Sequence, residues 1–271
     1  AAPPYPPIKV PPTLNRGDKD FRDPSPHGTL NLTLSGVMAK SSNIGTILAA
    51  ERIGGKKLSK YLKKFGIGQP TGLGFPGETS GFVPEYKDWS PTSFPTIAFG
   101  QGLSVNAVQV TSVFSTIAND GLRVEPSLVK AIVHEDGSIE EPKAPETTRV
   151  VSRDTAKQVR AMLESVVGEG GTATNARIPG YRVGGKTGTA QVVDARTGGY
   201  SNQVIASFVG MAPADNPQLV VGVFVSQPQS GRYGGELGAP VFKKVSSYAL
   251  GALEIPPTGS KAPKLALTFG G

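Results

Sequence analysis

The chain has 271 residues, 28 Lys and Arg against 21 Asp and Glu, and a formal net charge of +7. The absence of Cys excludes disulfide frameworks, thiolate nucleophiles and Cys-ligated metals. With two His (His27 and His134), neither a His-rich metal centre nor a Ser-His-Asp triad is expected, so a nucleophilic hydroxyl would need Lys as its activating group. Hydrophobic residues make up 38%, enough for a sizeable core, and no apolar run approaches the length of a membrane span. The positive charge favours anionic partners. Its densest group, Lys56, Lys57, Lys60, Lys63 and Lys64, alternates with apolar positions and reads as a solvated helix face, with no nucleic-acid recognition motif beside it.

Residues 1–28, with six Pro among the first twelve, read as an irregular arm. Helical periodicity begins after Thr33 with Leu34, Val37 and Met38. It resumes beyond Ser41-Ser42-Asn43 with Ile44, Ile47, Leu48 and Ile53, and stops at Gly54-Gly55. Leu58, Tyr61, Leu62 and Phe65 mark another helix, ended by Gly66. Residues 66–103 read as a long functional loop, with Phe75-Pro76-Gly77 and Phe94-Pro95 as helix breaks. Asn106 caps a helix running through Val110, Val113, Phe114 and Ile117 to Gly121. Residues 127–134 read as a strand, followed by an Asp136-Gly137 hairpin turn. Ser152 caps a helix that ends in the Gly168–Gly171 cluster.

Three strands are expected at residues 181–191, 203–211 and 219–226. The third is apolar on both faces, as a central strand would be. Ala239-Pro240 opens the last helix, and the tail after Ile255-Pro256-Pro257 is expected to be loose. This order describes an α+β domain of three layers, a mainly antiparallel central sheet flanked by helices. It occupies 29–255 between the arm and a tail at 256–271.

The strongest local signal is Lys186-Thr187-Gly188-Thr189 within GGKTGTA. Glycines let a ligand approach the backbone, Lys supplies a fixed charge and Thr187 and Thr189 supply hydroxyls. Such a strand edge can bind an extended peptide while gripping its carboxylate. A phosphate-loop reading of the Gly-Lys-Thr triplet is set aside. Ser41-Ser42-Asn43 is the second candidate: a Ser hydroxyl can relay a proton and an Asn amide both donates and accepts, although helix capping alone explains many such triplets.

The two clusters lie about 145 residues apart, with FGQG (99–102) and GTATNA (171–176) between them. S-x-N and K-T-G are two of the three motifs of penicillin-recognising serine enzymes, the third being S-x-x-K. The stretches GTLNLTLSGVMAKSSNIGT, FGQGLSVNAVQVTSVFSTIANDG, GYRVGGKTGTAQ, ASFVGMAPADNPQLVVGVFVSQP and YGGELGAPVFKKV carry the resemblance, over roughly residues 28–250. Through them the chain resembles the transpeptidase domain of class B penicillin-binding proteins, particularly the cell-division type.

The resemblance implies a fold like that of penicillin-binding proteins and serine β-lactamases. It also implies a serine acyl-enzyme mechanism that cross-links peptidoglycan stem peptides ending in D-Ala-D-Ala and is blocked by β-lactams. It makes Ser41 the proton-relay hydroxyl and Asn43 the group that orients the substrate amide, with Lys186 holding a positive potential. Thr187 and Thr189 bind the substrate carboxylate, Ser42 and Gly188 line the substrate site, and the Thr189 N–H is one oxyanion donor. No metal or cofactor is called for. The implied setting is the outer face of a bacterial cytoplasmic membrane, in a membrane-anchored parent working with division-machinery proteins.

One motif departs from the pattern, because no S-x-x-K precedes Ser41. Ser127–Lys130 is the only such tetrad, and it falls after FGQG; Ser35 does not qualify. The expectation is that the nucleophile segment lies upstream in a longer polypeptide, so that this chain alone is not acylated. Two alternatives are a non-catalytic module sensing wall peptides or β-lactams, and a serine β-lactamase. The latter would need a water-positioning acid, for which Glu78, Glu85 and Asp88 are available but not singled out.

Overall fold

The computed structural model describes residues 7–194 and 196–269. The first six residues of the expected arm and the last two of the expected tail lie outside them. The next residues of the arm are not irregular. β1 (Ile8–Val10), β2 (Leu14–Arg16) and β3 (Lys19–Phe21) form there, β2 pairs with β3, and β1 pairs antiparallel with β4 (Leu30–Leu32). Alternation explains it: Ile8, Val10, Leu14 and Phe21 point inward and pack with Val37, Ile44 and Ile47 of the helices that follow. Proline at the ends of so short a strand removes no ladder bond.

Those helices are α1 (Leu34–Lys40), capped by the Thr33 hydroxyl on Gly36 N–H, α2 (Asn43–Glu51) and α3 (Gly55–Lys64). The α3 lysines are all exposed, as a solvated face should be. The expected long loop contains a 3₁₀ turn at Tyr86–Asp88 and α4 (Ser93–Ala98). Pro95 therefore sits inside a helix; it falls in the first turn, where a missing N–H breaks no helical bond.

α5 (Ala107–Ala118) opens with a complete capping box between Asn106 and Gln109. The strand expected at 127–134 shrinks to β6 (Ile132–Val133), which pairs with β7 (Ile139–Glu140). The more buried strand is β5 (Leu122–Val124), which pairs with β8 (Thr147–Arg149). The 127–146 hairpin is exposed almost throughout, so its apolar residues find no core to order a longer strand.

α6 (Arg153–Val167), capped by Ser152, precedes the main antiparallel sheet of β9 (Gly184–Val193), β10 (Tyr200–Ala212) and β11 (Leu219–Ser226). Their order is β11-β10-β9. Among the described residues β11 is thus an edge strand and β10 the central one. The both-faces apolar pattern of β11 has a different cause: α5 covers one side of it and α7 (Gly234–Ala252) the other.

Along β10, Phe208 and Ala212 face α7, where Phe208 meets Phe242 edge-to-face at 5.0 Å. Met211 on the opposite face packs with Ile117 and Leu163 of α5 and α6. These are the three layers.

α7 starts at Gly234, six residues before Pro240. Its first turn lies directly on the sheet; a Cβ at Gly234 would fall 1.8 Å from the Ser207 carbonyl oxygen. That packing holds the opening turns, so the hydrogen bond lost at Pro240 does not end the helix. The tail is also held. Thr33 N–H and hydroxyl donate to Leu267 and Ala266 carbonyls, Phe269 N–H donates to Asn31, and Thr258 and Ser260 bond the Asp215 carboxylate.

Candidate active-site groove

Ser41 ends α1 in the left-handed conformation, at φ 55° and ψ 42°, an uncommon position for a residue with a Cβ. The single strained residue lets the chain leave one helix and enter the next, because Ser42 immediately caps α2 by accepting from Gly45 N–H. α1 packs against α6, and α6 packs against β9, which carries the second cluster.

On β9, Lys186 pairs with Val209 and Thr187 with Phe208, so the two side chains leave opposite faces of the strand. Lys186 points toward the α1–α6 layer, and its Nζ donates to Ser41 Oγ at 2.7 Å and to the Thr187 carbonyl at 3.1 Å. Burial pushes the Lys186 ammonium down from its ordinary 10.5 to about 8. Thr187 lies on the α7 side, where its hydroxyl meets that of Thr172 at 3.0 Å. Between the two threonines, Gly188 leaves room for the Ser207 hydroxyl, which a Cβ at that position would meet at 2.4 Å and force to rotate. Thr189 is exposed one step further along β9, at the sheet edge opposite β11.

The structure therefore unites Ser41 with Lys186 and Thr187 but treats the other two members of the first cluster differently. Ser42 is 2% exposed, and its hydroxyl donates to Asp23 Oδ2 at 2.6 Å while it caps α2, so it does not line a substrate site. The Asn43 side-chain amide donates to the Arg22 carbonyl at 3.1 Å. Capping of α2 and the contact to Lys186 are divided between neighbours in one triplet.

Sequence reading missed Thr172 and Asp23. The GTATNA segment was a signal for Thr172, whereas nothing marks the Asp in Arg22-Asp23-Pro24.

The string Gly180–Thr187 does have the G-x-x-x-x-G-K-T spacing of a phosphate loop. Lys186 and Thr187 lie within a strand, however, not in a loop running into a helix, so the string has no phosphate-loop geometry. Ser127 and Lys130 are both exposed on the outer hairpin segment. Two of the three loop acids are bound elsewhere: Glu78 accepts from Thr71 N–H and Asn106, and Glu85 from Lys63.

The family model described as the penicillin binding protein transpeptidase domain matches residues 3–247. The chain is 39% identical over 269 residues to penicillin-binding protein PbpB of Mycolicibacterium smegmatis, covering 96% of this chain and 42% of that protein. It is also 39% identical to a probable peptidoglycan D,D-transpeptidase, PbpC, of Pseudomonas aeruginosa, over 83% of this chain and 38% of that protein. Penicillin binding protein 3 of Mycobacterium tuberculosis, solved with aztreonam, superposes at a TM-score of 0.90 with 37% identity, covering 98% of this chain and 61% of that one. The chain spans less than half the length of these curated relatives. With its matching sequence and superposable fold, the chain belongs to the penicillin-binding protein transpeptidase family.

Proposed function

We propose that this chain supplies the proton relay and carboxylate grip of a peptidoglycan D,D-transpeptidase. The nucleophile and its activating Lys come from an S-x-x-K segment outside the given sequence. The observation that carries this reading is the 2.7 Å contact between Lys186 and Ser41, two motif residues 145 positions apart. A nucleophilic Ser oxygen attacks the carbonyl between the last two D-Ala residues of a stem peptide. The ester forms, and the terminal D-Ala leaves with the proton on its amine. An acceptor amine from a second strand then displaces the Ser oxygen, forming the cross-linking amide and returning the proton to the Ser.

In that sequence Ser41 passes the proton toward the leaving amine, being already hydrogen-bonded to an ammonium whose pKa near 8 lies close to neutral pH. Lys186, Thr187 and Thr189 hold the substrate carboxylate, and the Thr189 N–H faces the developing oxyanion. Asn43 orients the substrate amide after exchanging its bond to Arg22. β-Lactams occupy the same groove and stop at the ester. The site works on the outer face of the cytoplasmic membrane, in an anchored parent engaged with division proteins.

Fluorescent penicillin tests the reading. A longer polypeptide carrying both this chain and an S-x-x-K segment is expected to be labelled at the Ser of that segment, while this chain alone stays unlabelled. A stable penicilloyl adduct on any Ser of the isolated chain would overturn it. Sustained hydrolysis of a chromogenic cephalosporin by the longer protein would favour a β-lactamase, and reversible binding without acylation a sensor.

A further inference from the structure

The Ser41–Asn43 turn is gripped from outside its own helices. Asp23 has a side chain only 6% exposed, and its carboxylate faces the start of α2. Oδ1 accepts the Ile44 N–H at 2.9 Å, and Oδ2 accepts the Ser42 hydroxyl at 2.6 Å and meets His27 Nε2 at 3.0 Å. One residue earlier, the Arg22 carbonyl takes the Asn43 amide. A carboxylate at a helix N-terminus is favoured by the unpaired N–H groups there, and this one binds a residue on each side of Asn43. His27 completes the arrangement from behind, its other ring nitrogen against the Gly28 carbonyl. The Ser42 hydroxyl alone would cap α2, so the carboxylate is more than the helix start requires. What it adds is a fixed origin for the strained Ser41 that meets Lys186.

We propose that Asp23, backed by His27, is a positioning residue that sets the Ser41–Asn43 turn against Lys186 from a strand-rich segment lying before α1. It touches no substrate and acts through the turn. The proposal rests on the reading of Ser41 and Lys186 as the centre of the groove, but its test reads the turn and not the reaction, so the two can fail separately.

The test uses the chain with Lys labelled at Cε, the Lys186 resonance being assigned from its loss in Lys186→Arg and its titration midpoint followed by NMR. Asp23→Asn keeps the shape but offers one oxygen where two now accept. It is expected to loosen the turn, admit water and raise the Lys186 midpoint by about one pH unit or more, with Asp23→Ala raising it further. If Asp23→Ala does not fold, Asp23→Asn alone decides.

The control is Arg16→Ala, which removes the ion pair between β2 and Glu51 at the far end of the same helix. It should lower thermal stability and leave the midpoint in place. A folded Asp23→Asn protein with an unchanged Lys186 midpoint would overturn the proposal, as would an equal shift in Arg16→Ala. If both hold while the longer protein fails to bind penicillin, the function is wrong and the positioning role stands.

Discussion

Replacing Lys186 by Ala in a longer polypeptide bearing S-x-x-K is expected to slow acylation by penicillin by about 10²–10³-fold, the usual effect of deleting one preorganised hydrogen-bond donor from an acyl-transfer site. The folded state should survive, because the substitution removes a desolvated charge and no core packing. Lys186 is held by its own β-strand neighbours, and the sheet register of β9 on β10 does not depend on its side chain. Stopped-flow labelling gives the acylation rate and circular dichroism gives the fold. Unchanged acylation kinetics would remove Lys186 from the site. Thr187→Ala should have a smaller effect, because Thr172 holds a second hydroxyl 3.0 Å from the first.

The same buried ammonium makes stability depend on alkaline pH. In the unfolded chain Lys186 returns to its ordinary 10.5, while in the fold it titrates near 8. Below pH 8 both states carry the charge, and the fold bears the whole desolvation penalty. Between 8 and 10.5 the unfolded chain binds the extra proton, so folding is favoured as pH rises. Above 10.5 both are neutral and the penalty is gone. The contribution is about 3 kcal/mol as an upper bound, reduced because the side chain is not fully enclosed. The readout is a difference between two proteins, so that the response of the rest of the chain cancels. Denaturant unfolding of the parent minus that of Lys186→Met, measured from pH 7 to 10.5, should rise by about 1–3 kcal/mol relative to its neutral value. A flat difference would show that Lys186 is hydrated in the fold.

Much of the helical layer is legible in the sequence because capping chemistry is local: Asn106 and Ser152 announce their helices within four residues. β11 has the residues expected of it for the same reason, an uninterrupted apolar run bounded by polar residues. What escapes is decided by distant partners. Pro240 stays helical because Gly234 and its neighbours sit on β10, and residues 8–21 form strands because Val37 and Ile44 offer them a core. The central or edge position of β11 depends on which strands flank it, a fact absent from its own composition. The tail follows Thr33 and Asn31 back over the first helix for reasons no local pattern carries.

The site divides in the same way. Lys186 and Ser41 are visible in the sequence because they fall in the K-T-G and S-x-N patterns, and their meeting is the part only the fold supplies. Ser42 looks identical to Ser41 in sequence, yet one backbone angle turns the first toward Lys186 and commits the second to capping and to Asp23. Asp23 itself has no motif, since a carboxylate that grips a turn needs only the right position in space.

The most direct measurement is an NMR titration of the isotopically labelled chain with an acylated peptide ending in D-Ala-D-Ala. If the two polar clusters share one groove, the backbone resonances of Ser41, Thr187 and Thr189 move together along one binding curve, and the same peptide ending in a carboxamide leaves them still. Movement confined to one cluster, or equal response to the carboxamide, would contradict a joint carboxylate-binding groove.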